Sequence, residues 1–105
     1  MNLEQARKRY LPMSETMFYI LLSLRQERHG YAIMQHVKEL TDARVILGAG
    51  TVYSSLGKLE GDGLITPVKE EERRKIYIIT PLGRGILRGE ALRITELHRN
   101  LEGLL

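Results

Sequence analysis

Three histidines and no cysteine narrow the chemistry open to this chain. Without Cys there is no disulfide, no thiolate zinc ligand and no thiol nucleophile. His29 and His36 stand seven residues apart, two helical turns, too far for both imidazoles to grip one ion. No HExxH pattern occurs, and no Ser, His and Asp are spaced as a triad. His98 lies between Leu97 and Leu101, where an imidazole is ordinarily solvated or packed. The run Gly48-Ala49-Gly50-Thr51-Val52-Tyr53 is glycine-rich but lacks the lysine and serine of a P-loop. These residues give an enzyme no footing, and nothing in them calls for a metal or an organic cofactor.

The residue types that remain suit anions. Thr51, Ser54, Ser55 and Lys58 share a segment with Val52, Leu56 and Leu59, whose spacing predicts a helix with one apolar face. Ser and Thr hydroxyls bond to phosphates or to several base edges, and Lys reaches a phosphate or a guanine. Gly48 and Gly50 free the backbone at the start of that helix, where its dipole favours an anion. A second group, Lys69, Arg73, Arg74 and Lys75, is interleaved with Glu70, Glu71 and Glu72: four positive charges against three negative, a net of +1. Arg44 and Lys58 are likewise offset by Glu60 and Asp62, while Arg7-Lys8-Arg9 adds positive field. The whole chain carries 16 Lys and Arg against 13 Asp and Glu, a net charge of +3. That excess permits nucleic acid or an acidic membrane as a partner and does not choose between them.

Elements must hold these residues in place, and 105 residues allow one small domain. Hydrophobic content of 43% and charged content of 28% are those of an ordinary globular chain. No apolar run approaches a membrane span and nothing resembles a signal peptide, so a cytoplasmic protein without membrane contact is expected. Residues 1–12 read as a basic N-terminal arm that could be helical. Ser14 caps a helix over about Glu15 to Gln26, and a second amphipathic helix covers Tyr31 to Leu40. Arg44 to Leu47 is a short strand candidate. The third helix runs from about Ala49 to Asp62 and ends at Gly63. Leu64 to Lys69 and Lys75 to Ile79 form a hairpin with a polar tip, and Thr80-Pro81 starts a last helix.

That last helix could extend almost to Leu105, roughly 36 Å at 1.5 Å per residue, which outruns so small a domain. Leu87, Ile94 and Leu101 recur every seven residues along it, joined by Leu97 and Leu104. A second copy of the chain is the natural cover for this stripe, making residues 81–105 a dimerisation helix; folding back on its own core is the alternative. Gly85 and Gly89 favour a tight contact between helices there. Met13, Met17, Phe18, Leu92 and Ile94 could line an apolar pocket, or serve equally as dimer core.

Three helices followed by a hairpin, over residues 13–80, describe a winged helix-turn-helix: mainly α, with a small β-hairpin. The third helix enters the major groove of double-stranded DNA and the hairpin touches flanking phosphates. The pieces His29-Gly30-Tyr31-Ala32-Ile33, Gly50-Thr51-Val52-Tyr53, Leu59-Glu60-Gly61-Asp62-Gly63-Leu64-Ile65 and Tyr77-Ile78-Ile79-Thr80-Pro81-Leu82-Gly83, in this order and spacing, resemble the PadR family of bacterial transcriptional regulators over about residues 11 to 90. The single C-terminal helix resembles the short branch of that family. The resemblance implies a homodimeric repressor on a palindromic operator, released by a small-molecule effector whose binding residues are not indicated. It also implies that Thr51, Tyr53, Ser54 and Lys58 face DNA, with Tyr31 near a phosphate and the wing's Lys69, Arg73 and Arg74 beside the backbone.

The sequence departs from the family pattern at three places. Gly48-Ala49 stands where Ser-Pro is usual, Gly57 interrupts the third helix, and the wing carries three glutamates. A rival reading starts from the last of these. If Tyr77 and Ile79 pack inward, strand alternation leaves Ile76 and Ile78 as an apolar patch for a protein partner, and the domain is an interaction module with weak or no DNA binding.

Overall fold

The computed structural model describes residues 1–105. In chain order its elements are α1 (Leu3–Tyr10), α2 (Glu15–Ser23), α3 (Gly30–Leu40), α4 (Ala49–Gly61), β1 (Ile65–Glu71), β2 (Arg74–Ile79) and α5 (Pro81–Arg99). The expected winged helix is therefore present as α2, α3, α4 and the β1–β2 hairpin, with a further helix on either side.

The segment expected as a basic arm is a docked helix. Asn2 and Gln5 close a reciprocal capping box at its start, and the chain leaves it before Pro12, where the helical conformation is disfavoured. Ala6 and Tyr10, one turn apart, are buried. On α5, a Cβ at Gly85 would lie 2.9 Å from Leu3 Cδ1, and one at Gly89 would lie 3.0 Å from Leu11 Cδ1. These two glycines thus admit the chain's own N-terminal segment, not a second copy.

The α2 helix opens on Ser14, whose Oγ accepts from the Met17 N–H at 3.1 Å. It ends at Ser23, three residues before the expected Gln26, because the chain turns there to meet the wing. Leu24 O accepts from the Ile79 N–H at 2.8 Å, and Arg28 exchanges backbone hydrogen bonds of 3.2 and 3.0 Å with Tyr77. Arg25 and Arg28 side chains satisfy the carbonyls of Leu22 and Ser23 at the helix end. Arg28 therefore takes the edge of β2, and the strand expected over Arg44 to Leu47 does not form. Asp42 and Ala43 turn through positive φ, and the Val45 N–H is satisfied by Thr41 Oγ1 at 3.0 Å. The one bridge added to β2 is made by Arg28, and the β propensity of this segment goes unused.

Val52, Leu56 and Leu59 of α4 are buried as their spacing requires. Gly63, at φ +78°, ends the helix: its N–H bonds to Glu60 O and the Leu64 N–H to Leu59 O, the Schellman arrangement. In the hairpin, Glu71 pairs with Arg74 across Glu72 and Arg73, whose φ values of 50° and 65° are those of a two-residue type I′ turn. The pairing slips between Pro67 and Lys69, a bulge at Val68 that raises local twist. The apolar patch expected at Ile76 and Ile78 is absent. Ile76 is only 6% exposed and Tyr77 beside it is buried too, so β2 is covered on both faces at that point, and Ile78 is half-buried.

Thr80 caps α5 by accepting from the Gly83 N–H at 3.1 Å and donates its own hydroxyl to Gly63 O at 2.7 Å. The helix ends at Arg99, and residues 100–104 turn instead of continuing it, with Gly103 at φ +83°. Ile86 and Leu87 enter the common core with Ile20, Leu21, Ile33, Leu64 and Ile79. No helix is long and apolar enough to cross a membrane.

Candidate nucleic-acid interface

Gly30 fixes how closely α3 and α4 cross. A Cβ there would lie 2.8 Å from the Tyr53 ring, so the ring of Tyr53 lies on the first residue of α3 and stays half exposed. His29, just before it, caps α3 by accepting from the Ala32 N–H at 3.1 Å. The His29 and Tyr31 rings are stacked at 6.4 Å, and the Tyr31 hydroxyl accepts from Gln35 Nε2 at 2.9 Å. From the wing, the Arg74 guanidinium stands 5.5 Å above the Tyr31 ring, a cation–π contact between hairpin and helix. A cleft of about 220 Å³ results, lined by His29, Gly30, Tyr53, Arg73, Arg74, Lys75 and Tyr77. Burial and the Glu60 carboxylate push the Tyr77 phenol up.

Thr51 and Ser54, flanking the Val52-Tyr53 pair in sequence, are exposed on α4 and do not themselves line the cleft. Lys58, a turn further along, is held over the Tyr10 ring at 5.2 Å. Tyr10 donates to Asp62 Oδ2 at 2.6 Å and Arg9 pairs with Asp62 Oδ1 at 2.9 Å. Burial, then the Asp62 carboxylate, drives the Tyr10 phenol far up. Lys69 stands apart from the other wing cations. Its ammonium lies 3.3 Å from Glu71 and 3.4 Å from Glu27, and these carboxylates, Glu71 foremost, raise its pKa. Arg44 is bound by Glu15 through two bonds of 2.9 and 3.1 Å and adds little field at α4.

The structure therefore brings Tyr53, Arg73 and Arg74 to one cleft, ties Tyr31 to it through Arg74, and leaves Lys58 and Lys69 in contacts of their own. His29, Lys75 and Tyr77 complete the cleft; the sequence grouped Lys75 with the wing cations but did not place it, His29 or Tyr77 on the DNA-facing surface. The signal for His29 was its place one residue ahead of a helix; for Lys75 and Tyr77 it was their alternation along one strand face.

Away from the cleft, the stripe on α5 divides. Leu87 is 8% exposed and belongs to the chain's own core, whereas Ile94 and Leu97 are open to solvent on the helix, and Leu101 and Leu104, expected to continue the stripe, are exposed in the turn after it. A cavity of about 390 Å³ lies between α2 and α5, lined by Met13, Glu15, Phe18, Tyr19, Glu90, Arg93 and Ile94. Of the apolar set expected to line a pocket, Met13, Phe18 and Ile94 do so; Met17 and Leu92 do not. Glu90, 1% exposed, accepts from the Met13 N–H at 3.2 Å and from Arg93 Nε at 2.8 Å. The Arg93 guanidinium holds its carboxyl below the usual range.

Residues 19–89 match the transcriptional regulator PadR-like family. The chain is 36% identical over 69 residues to an uncharacterised 37.1 kDa transposon protein of Streptomyces fradiae, and spans only 19% of that protein's length. It is 34% identical over 80 residues to the transcriptional regulator Rv3488 of Mycobacterium tuberculosis, covering 73% of this chain and 72% of the other. Among solved structures, a PadR-like transcription factor from Bacteroides fragilis superposes with a TM-score of 0.72 at 27% identity, over 97% of this chain and 96% of that one. Bacillus subtilis PadR, crystallised with operator DNA, superposes with a TM-score of 0.63 at 29% identity, over 74% of this chain and 47% of the other. On the family match and the shared winged helix, the chain belongs to the PadR-like family of transcriptional regulators.

Proposed function

We propose that the protein is a homodimeric repressor that binds a palindromic operator, one α4 in each major-groove half-site, and is released by a small molecule. The observation that carries this reading is the cleft where Arg73, Arg74, Lys75 and Tyr53 meet beside the exposed hydroxyls of α4, in a chain 29% identical to a PadR crystallised on operator DNA. In this reading Thr51 and Ser54 meet base edges or phosphates, while Arg73, Arg74 and Lys58 meet the backbone. Tyr31 positions Arg74 and lends its hydroxyl to a phosphate. Lys69 is held by Glu27 and Glu71 and contributes least. Ile94, Leu97, Leu101 and Leu104 cover the same residues of a second copy, and the α2–α5 cavity beside them offers an effector apolar walls with Glu90 and Arg93 as polar anchors. A cytoplasmic site of action follows from binding DNA.

The rival, an interaction module using Ile76 and Ile78, loses its apolar patch because Ile76 is buried, and keeps only the wing's three glutamates and the charge balance around α4 in its favour. Fluorescence anisotropy with duplex from upstream of the protein's own gene, against a scrambled duplex at two salt concentrations, tests the proposal. Tighter binding to the native duplex, weakening with salt, supports a sequence-specific regulator. Equal and weak binding to both duplexes overturns it.

A further inference from the structure

The half of α4 that ends at Asp62 carries two glycines within the helix, against one, Gly50, in the half that starts it. Gly57 and Gly61 both lie in it, and a Cβ added at either would meet nothing within 4 Å. Neither glycine is therefore there for close packing within the chain, and both loosen the helix backbone. On this loosened half a different part of the chain closes. Asp62, the C-terminal cap of α4, receives the Tyr10 hydroxyl at 2.6 Å and the Arg9 guanidinium at 2.9 Å. The Tyr10 ring takes Lys58, one turn back, at 5.2 Å. The other side of the same N-terminal segment is seated on α5, with Leu3 against Gly85 and Leu11 against Gly89. α1 is thus a strut with one face on the long helix and the other on the end of α4.

We propose that Tyr10 is a positioning residue for DNA binding: through its hydroxyl on Asp62 and its ring under Lys58 it fixes the C-terminal half of α4 at a set distance from α5. This rests on the reading of α4 as the recognition helix. Tyr10 itself touches no DNA. Its hydroxyl sets where the helix end lies, and its ring limits the directions in which the Lys58 ammonium can point. A recognition helix held at one end only by its core residues can rock in the groove, and contacts that need fixed geometry suffer before contacts that need only charge.

The test uses the full chain and the variants Tyr10→Phe, Tyr10→Leu and Lys58→Ala. Tyr10→Phe keeps the ring and removes the bond to Asp62. It is expected to weaken binding to the upstream duplex by about tenfold, the low end of what one hydrogen bond to a charged group is worth, while binding to the scrambled duplex and the salt slope stay unchanged. Lys58→Ala lowers that slope by about one. Tyr10→Leu has a smaller effect in the Lys58→Ala background than alone, since the ring then has no ammonium to hold. Wild-type affinity in Tyr10→Phe, or strict additivity of Tyr10→Leu with Lys58→Ala, overturns the proposal. Amide hydrogen exchange without DNA keeps the test independent of the functional reading. Residues 58–63 exchange faster in Tyr10→Phe while those of α3 and the start of α4 do not; uniform change along α4, or none, overturns it. Should the wild-type chain show no preference for its upstream duplex, the DNA reading falls, and the exchange result still decides whether α1 holds α4.

Discussion

Gly30 and Gly83 both let a neighbour approach closely, but the neighbours differ. A Cβ at Gly83 would stand 2.1 Å from the carbonyl oxygen of Leu64, a backbone atom fixed by the wing, so α5 would have to move. Gly83→Ala is expected to destabilise by about 3 kcal/mol or more, read as a lowered urea midpoint. At Gly30 the obstacle is the outer end of the Tyr53 ring, which is half exposed and can swing aside. Gly30→Ala should therefore leave the unfolding free energy within about 1 kcal/mol of wild type and weaken DNA binding, because Tyr53 leaves the cleft. Glu90 gives a residue-scale pH dependence. Its folded pKa is depressed from 4.5 by Arg93, so it stabilises the fold above its unfolded pKa, and the contribution disappears as pH falls through the folded value. Denaturation midpoints should drop from neutral to acid pH in wild type, and less steeply in Glu90→Gln, which keeps the shape without the titration.

At the scale of elements, stability and the proposed DNA binding are expected to pull apart in the wing. Arg73 sits at φ 65°, a conformation that costs a side-chain-bearing residue about 1 kcal/mol relative to glycine. Arg73→Gly is expected to raise the thermal midpoint while lowering DNA affinity and reducing the salt slope by about one. Calorimetry and anisotropy on one preparation would show the opposed signs. The elements themselves were mostly legible in the sequence, since Val52, Leu56 and Leu59 mark the inner face of α4 by spacing alone, and cap chemistry marks the end of α4 at Gly63 and the start of α5 at Thr80-Pro81. What spacing could not reveal was pairing between distant residues. Arg44 to Leu47 has strand-forming types, but the edge of β2 goes to Arg28. Gly85 and Gly89 announce a close approach without naming Leu3 and Leu11 as the partners. Asp62 reads as a charge near the end of a helix, and nothing local connects it to Tyr10, 52 residues away.

For the whole molecule, the division of α5 separates folding from assembly. Leu87→Ala removes a core side chain and should lower stability by about 2–5 kcal/mol. Leu97→Asp places a charge on the exposed half and should leave the monomer folded by circular dichroism. In the proposed dimer it would also halve the mass measured by light scattering and abolish operator preference, since each half-site then binds alone. An unchanged mass would remove Leu97 from the interface.

In the proposed dimer one rod belongs to two hydrophobic interiors in turn. Because Leu87 and Ile94 lie seven residues apart on one continuous helix, the inner contact fixes the rotational phase of the outer one. The angle at which a second copy must approach is then written into the pitch of α5. In the proposed dimer, the distance between two α4 helices is a property of that pitch, and α5 is the gauge that measures out the operator.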